Sequence, residues 1–353
     1  MKNRFLKTLI IFIAMSLLAA CGGQKTTNQS ENTNGNKGPV KLTLAAYSTP
    51  SEAYGKIIPL FVGQWKTQHN QDVTFEESYG GSGAQSRAVV GGLEADVVAL
   101  SLEGDVTNIT KAGLITRNWK AAPNKGIVTT SIVAFAVRKG NPKNIHDWTD
   151  LAQSGLQVLT PDPKTSGGAQ WNILALYGAA LRGKVKGVPA NDEAAATKFL
   201  VSVLKNVTAL DKDARSSITN FETGNGDVAI TYENEVLLGK QSGKDYELVI
   251  PTSTISIENP VAVVDGYSDK HGTTEIADAF VKFLFTKDAQ QIFAQSGFRS
   301  IDSDVAAATS SQFPKVEDLF TIGDVFGGWS TAKPKYFGDN GIYAQAIAEA
   351  QGQ

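Results

Sequence analysis

The chain has 353 residues, with 33 Lys and Arg against 35 Asp and Glu, 42% hydrophobic residues, three histidines and one cysteine. This length allows two domains with sizeable cores, and the near-neutral balance of charge excludes the basic surface that a nucleic-acid partner would require. One cysteine and three scattered histidines exclude a disulfide framework, a Cys₂His₂ zinc site and an iron–sulfur cluster, so we expect neither a metal nor a cofactor.

The first 21 residues have the pattern of a bacterial lipoprotein signal. Three basic residues without an acid stand in the first seven positions. Residues 9–20 then form a nearly unbroken apolar run, which is shorter than the roughly 20 residues of a membrane span. The single cysteine, Cys21, stands where cleavage would fall, and this arrangement is similar to a lipobox. We predict a signal peptide at 1–20 and a lipidated Cys21; a plain cleaved signal with an incidental cysteine is the alternative.

Residues 21–40 have the composition of a flexible tether. Asn, Gly, Thr and Lys are frequent, and Val40 is the one aliphatic residue after Cys21. Such a segment buries too little apolar surface to offset the entropy of ordering it. Loss of the signal leaves 30 basic against 35 acidic residues, a net charge of −5. We therefore predict an acidic, extracytoplasmic body held at a membrane surface by a lipid anchor.

From Lys41 onwards strand-like and helix-like segments alternate. Strands are predicted at 42–46, 73–75, 96–100, 132–137, 157–159, 207–210, 227–231, 248–250 and 262–264, and helices at 51–68, 82–90, 168–181, 192–204, 276–285 and 289–294. This alternation predicts an α/β fold with a largely parallel sheet.

The loops that follow the predicted strands are the candidate binding segments, because open α/β sheets bind ligands beyond the carboxyl ends of their strands. These loops are 47–51, 78–83, 164–168, 213–217 and 232–234, and four of the five are rich in Ser, Thr or Gly. Such residues let backbone N–H groups approach a ligand closely. Pro50 and Ser82 also stand where helices should begin, and helix N-termini attract anions. The alternative is that these residues only cap helices and form turns.

The sequence offers weaker support for catalysis. Residues 80–84 miss the G-x-S-x-G nucleophile elbow at the last position, and neither a P-loop nor a calcium-loop pattern occurs. A secreted hydrolase with Ser82 or Ser166 as nucleophile stays open as an alternative, and it requires a histidine base within hydrogen-bond reach of one serine. We expect a binding protein and not an enzyme.

Several ordered motifs resemble a known family. They are Tyr79-Gly80-Gly81-Ser82-Gly83, residues 137–143 with 145–148, residues 160–169, Ala214-Arg215, Glu233-Asn234-Glu235 and residues 325–329. In order and spacing, from about Lys41 to the C-terminus, the chain resembles the sulfate-binding proteins that serve ATP-driven sulfate importers. The resemblance implies a two-lobe, type II periplasmic-binding-protein-like fold whose two hinge strands cross near Thr130 and Ser256. Lobe I would comprise 41–130 plus 256–353, and lobe II would comprise 131–255.

The same resemblance implies the binding residues. In the family the anion is held mostly by main-chain N–H groups, with a serine hydroxyl, an indole N–H and no cationic side chain in direct contact. Carried over by motif, the contacts are Ser48 and Ser82 from lobe I, and Ser166, Gly167, Gly168, Ala214 and Tyr232 from lobe II. Arg215 would lie beneath its loop and hold Ala214 in place, with direct contact to the anion as the alternative. Ser48 replaces an Asp and Tyr232 replaces the indole-bearing Trp of the family.

Sulfate suits such a site because it carries no proton at neutral pH, so its oxygens only accept hydrogen bonds. Phosphate carries a proton and benefits from one acceptor in its site. An inward-facing Asp213 or Glu233 would therefore favour phosphate over sulfate. We expect a monomeric solute-binding lipoprotein that passes sulfate to the membrane permease of an ABC importer. A preference for thiosulfate, molybdate or phosphate, and a receptor or adhesin on the same fold, are the alternatives.

Overall fold

The computed structural model describes residues 38–352, and a central β-sheet sets the position of every loop considered above. The described strands are β1 (Val40–Tyr47), β2 (Val73–Gly80), β3 (Val97–Ala99), β4 (Ile127–Arg138), β5 (Val158–Pro161), β6 (Val207–Asp211), β7 (Val228–Tyr232), β8 (Tyr246–Val249), β9 (Ser253–Val263) and β10 (Asp318–Phe320). The predicted signal peptide, Cys21 and all but the last three tether residues lie outside the described residues.

Helices follow most of these strands, as the α/β prediction requires. They are α1 (Ser51–His69), α2 (Ser82–Val90), α3 (Glu103–Lys111), α4 (Gly167–Leu181), α5 (Glu193–Leu204), α6 (Ala214–Glu222), α7 (Glu233–Gln241), α8 (Asp265–His271), α9 (Thr274–Leu284), α10 (Lys287–Gln295), α11 (Ser303–Thr309), α12 (Ile322–Phe326), α13 (Trp329–Phe337) and α14 (Ile342–Ala350). The predicted α/β class is confirmed.

The sheet is mixed and not largely parallel, which corrects the prediction. Its strand order is β2-β1-β3-β9-β4-β7-β5-β6, with β10 on β9 and β8 on β4. The outer strands pair in parallel, β1 with β2 and β3, and β5 with β6 and β7. In the middle, β9 is antiparallel to β3 and β4, and β4 is antiparallel to β7 and β8. Strands β4 and β9 carry the chain across the sheet in opposite directions, so they are antiparallel to each other. Strand β4 is also antiparallel to β7 and β8, and β9 to β3.

Strands β4 and β9 join the two parallel parts of the sheet. They are 12 and 11 residues long and pair with each other from Ile127–Pro260 to Ile132–Ser256. Beyond that stretch β4 continues along β7, and the far end of β9 lies along β3. The family resemblance places its two hinge crossings in these strands, and the lobe boundaries at 130 and 256 stay a prediction.

Helix α1 illustrates how well an amphipathic pattern predicts packing. The apolar residues at helical spacing, Ala53, Ile57, Phe61 and Trp65, are all buried. The Phe61 ring meets the ring of Phe280 on α9, with 5.1 Å between the ring centroids. The helix therefore forms on the predicted residues because one face is covered by its neighbours.

Helix α4 lies at the centre of the molecule. Residues 167–180 are all buried, so the helix has no solvent-facing side. The C-terminal helices cover it: Trp329 packs edge-on against Trp171 with 4.7 Å between the ring centroids, and Tyr336 packs on Tyr177 at 5.1 Å. Packing from several directions fixes the position of the N-terminus of α4.

A histidine joins two carboxylates at one end of the sheet. Asp96 is almost completely buried and accepts hydrogen bonds from the Thr43 amide (2.7 Å) and the Thr273 hydroxyl (2.6 Å). The His271 ring bridges Glu94 through Nε2 (2.9 Å) and Asp96 through Nδ1 (2.8 Å). These hydrogen bonds, first that to Glu94 and then that to Asp96, raise the pKa of His271.

We expect the free energy of unfolding to depend on pH through His271. A pKa raised by folding contributes stability that is complete below the unfolded value of about 6.5 and is lost as pH rises through the folded value. Urea unfolding between pH 6 and pH 9 should therefore show decreasing stability, and His271→Gln should remove that part of the slope. His146→Gln, which alters an exposed histidine bonded to Asn144, serves as the control. An unchanged slope in His271→Gln would contradict the assignment.

Candidate functional site

The loops at the carboxyl ends of β2, β5 and β6 come into contact in the structure. A Cβ atom placed on Gly81 would lie 2.4 Å from the Thr165 carbonyl oxygen and 2.9 Å from that of Lys212. The Ala84 amide, two residues beyond the start of α2, donates to the same Thr165 carbonyl oxygen at 3.2 Å. The lack of a side chain at position 81 is what permits this backbone approach.

Five of the predicted binding residues lie side by side. A Cβ on Gly168 would lie 3.3 Å from Ala214 Cβ, 3.3 Å from Tyr232 Cε1 and 3.4 Å from Ser166 Oγ. Gly167 is the neighbouring first residue of α4. The structure thus gathers residues that are up to 66 positions apart in the sequence around one helix N-terminus.

Three helices begin at this place, namely α2 at Ser82, α4 at Gly167 and α6 at Ala214. The first amides of a helix lack partners within it and carry partial positive charge. Ser166 caps α4 by accepting from the Ala169 amide (3.3 Å), and Asp213 caps α6 by accepting from the Ser216 amide (2.8 Å). The Asp213 carboxylate therefore acts as a helix cap.

Ser82 uses its hydroxyl within the protein. Its Oγ donates to Asp105 Oδ2 at 2.7 Å and accepts from the Ser101 amide at 3.0 Å. Asp105 is buried, and Lys333 of α13 pairs with its other oxygen at 2.8 Å. The group that Ser82 leaves for a ligand is consequently its backbone N–H at the start of α2.

Tyr232 is fully buried, and its hydroxyl lies 2.6 Å from Ser101 Oγ. Burial raises the pKa of Tyr232, so the phenol keeps its proton at neutral pH. Sequence reasoning missed Ser101, although it directly follows the strand predicted at 96–100 and lies two residues after the end of β3, so the rule of strand ends that selected the other loops would have selected it.

Ser48 is buried at the end of β1, between two residues that contact other site residues. The ring of Tyr47 lies 6.4 Å from that of Tyr232, centroid to centroid, and the carbonyl oxygen of Thr49 accepts from Arg215 Nη2 at 3.1 Å. No Asp stands at this turn, so the loop brings no carboxylate to the site.

Arg215 links three helices behind the site. Its Nε donates to Glu235 of α7 at 2.9 Å, its Nη2 donates to Glu52 of α1 at 2.9 Å, and Nη1 pairs with the second oxygen of Glu52. Burial raises the pKa of the Glu235 carboxyl, and Arg215 acts in the opposite direction. The guanidinium thus holds the start of α6, and with it Ala214, against α1 and α7.

Glu233, the second acid that could favour phosphate, is paired with an arginine. Its completely buried carboxylate forms two hydrogen bonds with Arg299, Nε to Oε2 at 2.7 Å and Nη2 to Oε1 at 2.9 Å. Burial raises the pKa of Glu233, and the Arg299 guanidinium lowers it.

The three histidines lie at other places. His69 stacks on Trp65, His146 bonds to Asn144, and His271 bridges two carboxylates. The hydrolase alternative therefore lacks the histidine base that Ser82 or Ser166 would need. Within residues 38–352, no cluster of His, Cys, Asp and Glu has the arrangement of a metal site, and no helix is both long and apolar enough to cross a membrane.

Comparison with known proteins gives consistent matches. A family model described as "Bacterial extracellular solute-binding protein" matches residues 42–299. The sulfate-binding protein of Synechococcus elongatus is 45% identical over 353 residues, with 98% of each chain covered, and that of Escherichia coli is 43% identical over 310 residues, with 87% and 92% covered. The thiosulfate-binding protein of Pseudomonas aeruginosa is 34% identical, with 86% and 91% covered.

A solved structure matches at the level of the fold and the sequence. The sulfate-binding protein SubI from Mycobacterium tuberculosis superposes with a TM-score of 0.77 at 38% identity and covers 84% of this chain and 99% of its own. The predicted periplasmic-binding-protein-like fold class is confirmed by this likeness.

We expect Lys333→Met to destabilise the protein because it leaves the buried Asp105 carboxylate without its cation. Lys333 is partly exposed, so the expected loss is about 1–3 kcal/mol, below the ~3–5 kcal/mol of a fully buried pair. Adding Asp105→Asn should restore part of the loss, as measured by urea unfolding. Lys335→Met, which breaks an exposed pair with Glu193, should stay within about 0.5 kcal/mol of the parent protein. An equal loss in both lysine variants would contradict the role of Asp105.

Proposed function

The chain belongs to the bacterial extracellular solute-binding proteins, and from that premise we propose that it captures sulfate and delivers it to the membrane permease of an ABC importer. The observation that carries this proposal is the meeting of three helix N-termini, those of α2, α4 and α6, at the contacting loops. Unpaired amides and aligned helix dipoles at one point favour an anion.

The site offers backbone donors, and the acids named near it are bonded to other groups of the protein. Asp105 is bonded to Ser82 and Lys333, Asp213 caps its own helix through Oδ1, and Glu233 is held by Arg299. Ser166 accepts one hydrogen bond, and its own hydroxyl hydrogen has no acceptor within residues 38–352. A fully deprotonated oxyanion, which only accepts hydrogen bonds, is the ligand that this arrangement suits.

The proposed donors are those that the resemblance implies. They are the backbone N–H groups near Ser48, Ser82, Gly167, Gly168 and Ala214, the hydroxyl of Ser166 and the hydroxyl group at Tyr232. Each hydrogen bond to a charged group contributes about 1.5–3 kcal/mol net. Roughly six of them, less an association cost of at least ~4 kcal/mol, are sufficient for micromolar or tighter binding.

The proposal also covers the conformational change of the protein and its location in the cell envelope. Two sets of contacts join the predicted lobes, which are 41–130 and 131–255 in this part of the chain. Gly81 and Ala84 contact Thr165, and Arg215 pairs with Glu52. Closure of these parts on the anion would form the surface that the permease recognises. The lipobox-like Cys21 and the tether composition of 21–40 support anchoring at the outer face of a membrane, and we propose that the protein acts there as a monomer.

Thiosulfate is the second candidate. The curated relatives include thiosulfate-binding proteins, but at lower identity (34% in Pseudomonas aeruginosa) than the sulfate-binding ones (45% in Synechococcus elongatus). The replacement of the implied indole by Tyr232 changes one donor, which is where a difference between the two anions would arise.

We expect calorimetric titration of the purified protein to show tight one-to-one binding of sulfate, with phosphate at least about 100-fold weaker because the proposed site presents donors to the anion and no acceptor dedicated to its proton. Thiosulfate and molybdate complete the series. A preference for thiosulfate or molybdate would keep the class of protein and change the ligand. Absence of binding to all four anions would refute the proposed function.

We expect Arg215→Met to weaken sulfate binding by about 10–100-fold while the protein stays folded. The substitution removes the links from α6 to α1 and α7, so Ala214 is no longer held in place. The expected loss of affinity corresponds to about one charged hydrogen bond. Arg117→Met, which alters an exposed ion pair with Asp269, is the control and should bind as the parent does. Calorimetry gives the affinity and thermal unfolding confirms the fold; unchanged affinity in Arg215→Met would contradict the role.

A further inference from the structure

We propose that Ser101, a residue outside the predicted site, donates its hydroxyl hydrogen to the bound anion and that Tyr232 acts through it. The inference rests on the proposed function and deepens it, because it assigns to Ser101 the direct contact with the anion that the resemblance gives to Tyr232.

Ser101 lies among the proposed binding residues. Its Oγ is 2.6 Å from the Tyr232 hydroxyl, and its amide donates to Ser82 Oγ at 3.0 Å. A Cβ placed on Gly167 would lie 2.7 Å from Ser101 Oγ and 2.9 Å from Ser101 Cβ. The side chain therefore rests against the first residue of α4, beside the amides that would hold the anion.

The backbone of Ser101 is fixed from both sides. Its carbonyl oxygen accepts from Trp171 Nε1 at 3.0 Å and from Asn259 Nδ2 at 3.3 Å, while its amide is bonded to Ser82. These partners come from α4, β9 and α2, so the residue is held by separate elements of the fold. The remaining freedom is rotation of the hydroxyl, which is the property needed in a group that aims a hydrogen at a ligand.

The chemistry of the two hydroxyls decides which hydrogen is available. A phenol is a stronger acid than an aliphatic alcohol and hence the better donor. Burial keeps the Tyr232 phenol protonated, and in the proposed arrangement Tyr232, the better donor of the pair, donates to Ser101 Oγ. The hydrogen of Ser101 then has no acceptor within residues 38–352, and donation into its oxygen strengthens it as a donor. Two hydroxyls thus supply one outward hydrogen, as a single indole N–H would.

A double-mutant cycle with sulfate tests the inference. We expect Ser101→Ala to lower the sulfate affinity by about 10–100-fold, the range of one charged hydrogen bond. Tyr232→Phe should lower the sulfate affinity by a smaller factor, because Ser101 keeps its hydroxyl hydrogen. The double variant Ser101→Ala/Tyr232→Phe should bind as Ser101→Ala does, because Tyr232 acts through Ser101. Thermal unfolding of each variant checks the fold.

The matched control is Ser86→Ala, which removes a buried hydroxyl that donates to the Asp105 carbonyl oxygen at 2.7 Å and should leave the affinity unchanged. If Ser101→Ala fails to fold, Ser101→Cys replaces it, since a thiol is a weak donor of similar size and should show the same loss.

The possible results separate the two proposals. A parent protein that binds none of the oxyanions would overturn the proposed function and this inference together. A parent protein that binds sulfate, with Ser101→Ala or Ser101→Cys binding equally well, would overturn this inference alone. A larger loss in Tyr232→Phe than in Ser101→Ala would also overturn it, because the phenol would then be the direct donor.

Discussion

A buried carboxylate must be compensated by a cation of the protein, and this constraint governs the surroundings of the proposed anion site. Asp105, Glu233 and Glu235 are nearly or completely buried, and each faces a cation, respectively Lys333, Arg299 and Arg215, of which Arg215 is shared with Glu52. An unpaired charge at such depth costs several kcal/mol and would repel an anion. Because these pairs join segments that are 228, 66 and 20 residues apart, the neutrality of the site depends on the whole fold.

Much of this arrangement follows from local sequence patterns. The apolar spacing of α1 and the Ser- and Gly-rich loops predicted that helix and the loops that meet, because strand ends and helix caps are determined by a few neighbouring residues. Helices α6 and α7 were not predicted. Most of β9 was also missed, and only 262–264 was predicted as strand, because Thr254, Asn259 and Pro260 interrupt its apolar pattern. Thr254 and Asn259 are tolerated there because their side chains bond to the Val133 and Ser101 carbonyl oxygens.

The pairs that complete the site could not be predicted, because they form only after the chain has folded. Tyr232 and Ser101 are 131 residues apart, and neither has a local motif that indicates the other. Lys333 lies beyond residues 42–299, the part that the family model matches, yet its cation reaches the carboxylate that orients Ser82. The C-terminal helices are therefore part of the site as well as the cover of α4.

The contact at Gly81 determines the size of the site. A Cβ at this position would overlap the carbonyl oxygen of Thr165, so any side chain at position 81 would force the two loops apart. Side-chain changes nearby can alter the number and direction of donors without bringing these loops closer. If the anion binds here as proposed, the main chain limits the diameter of the anion while the side chains set its chemistry, so chemical selectivity and size selectivity can change independently of each other.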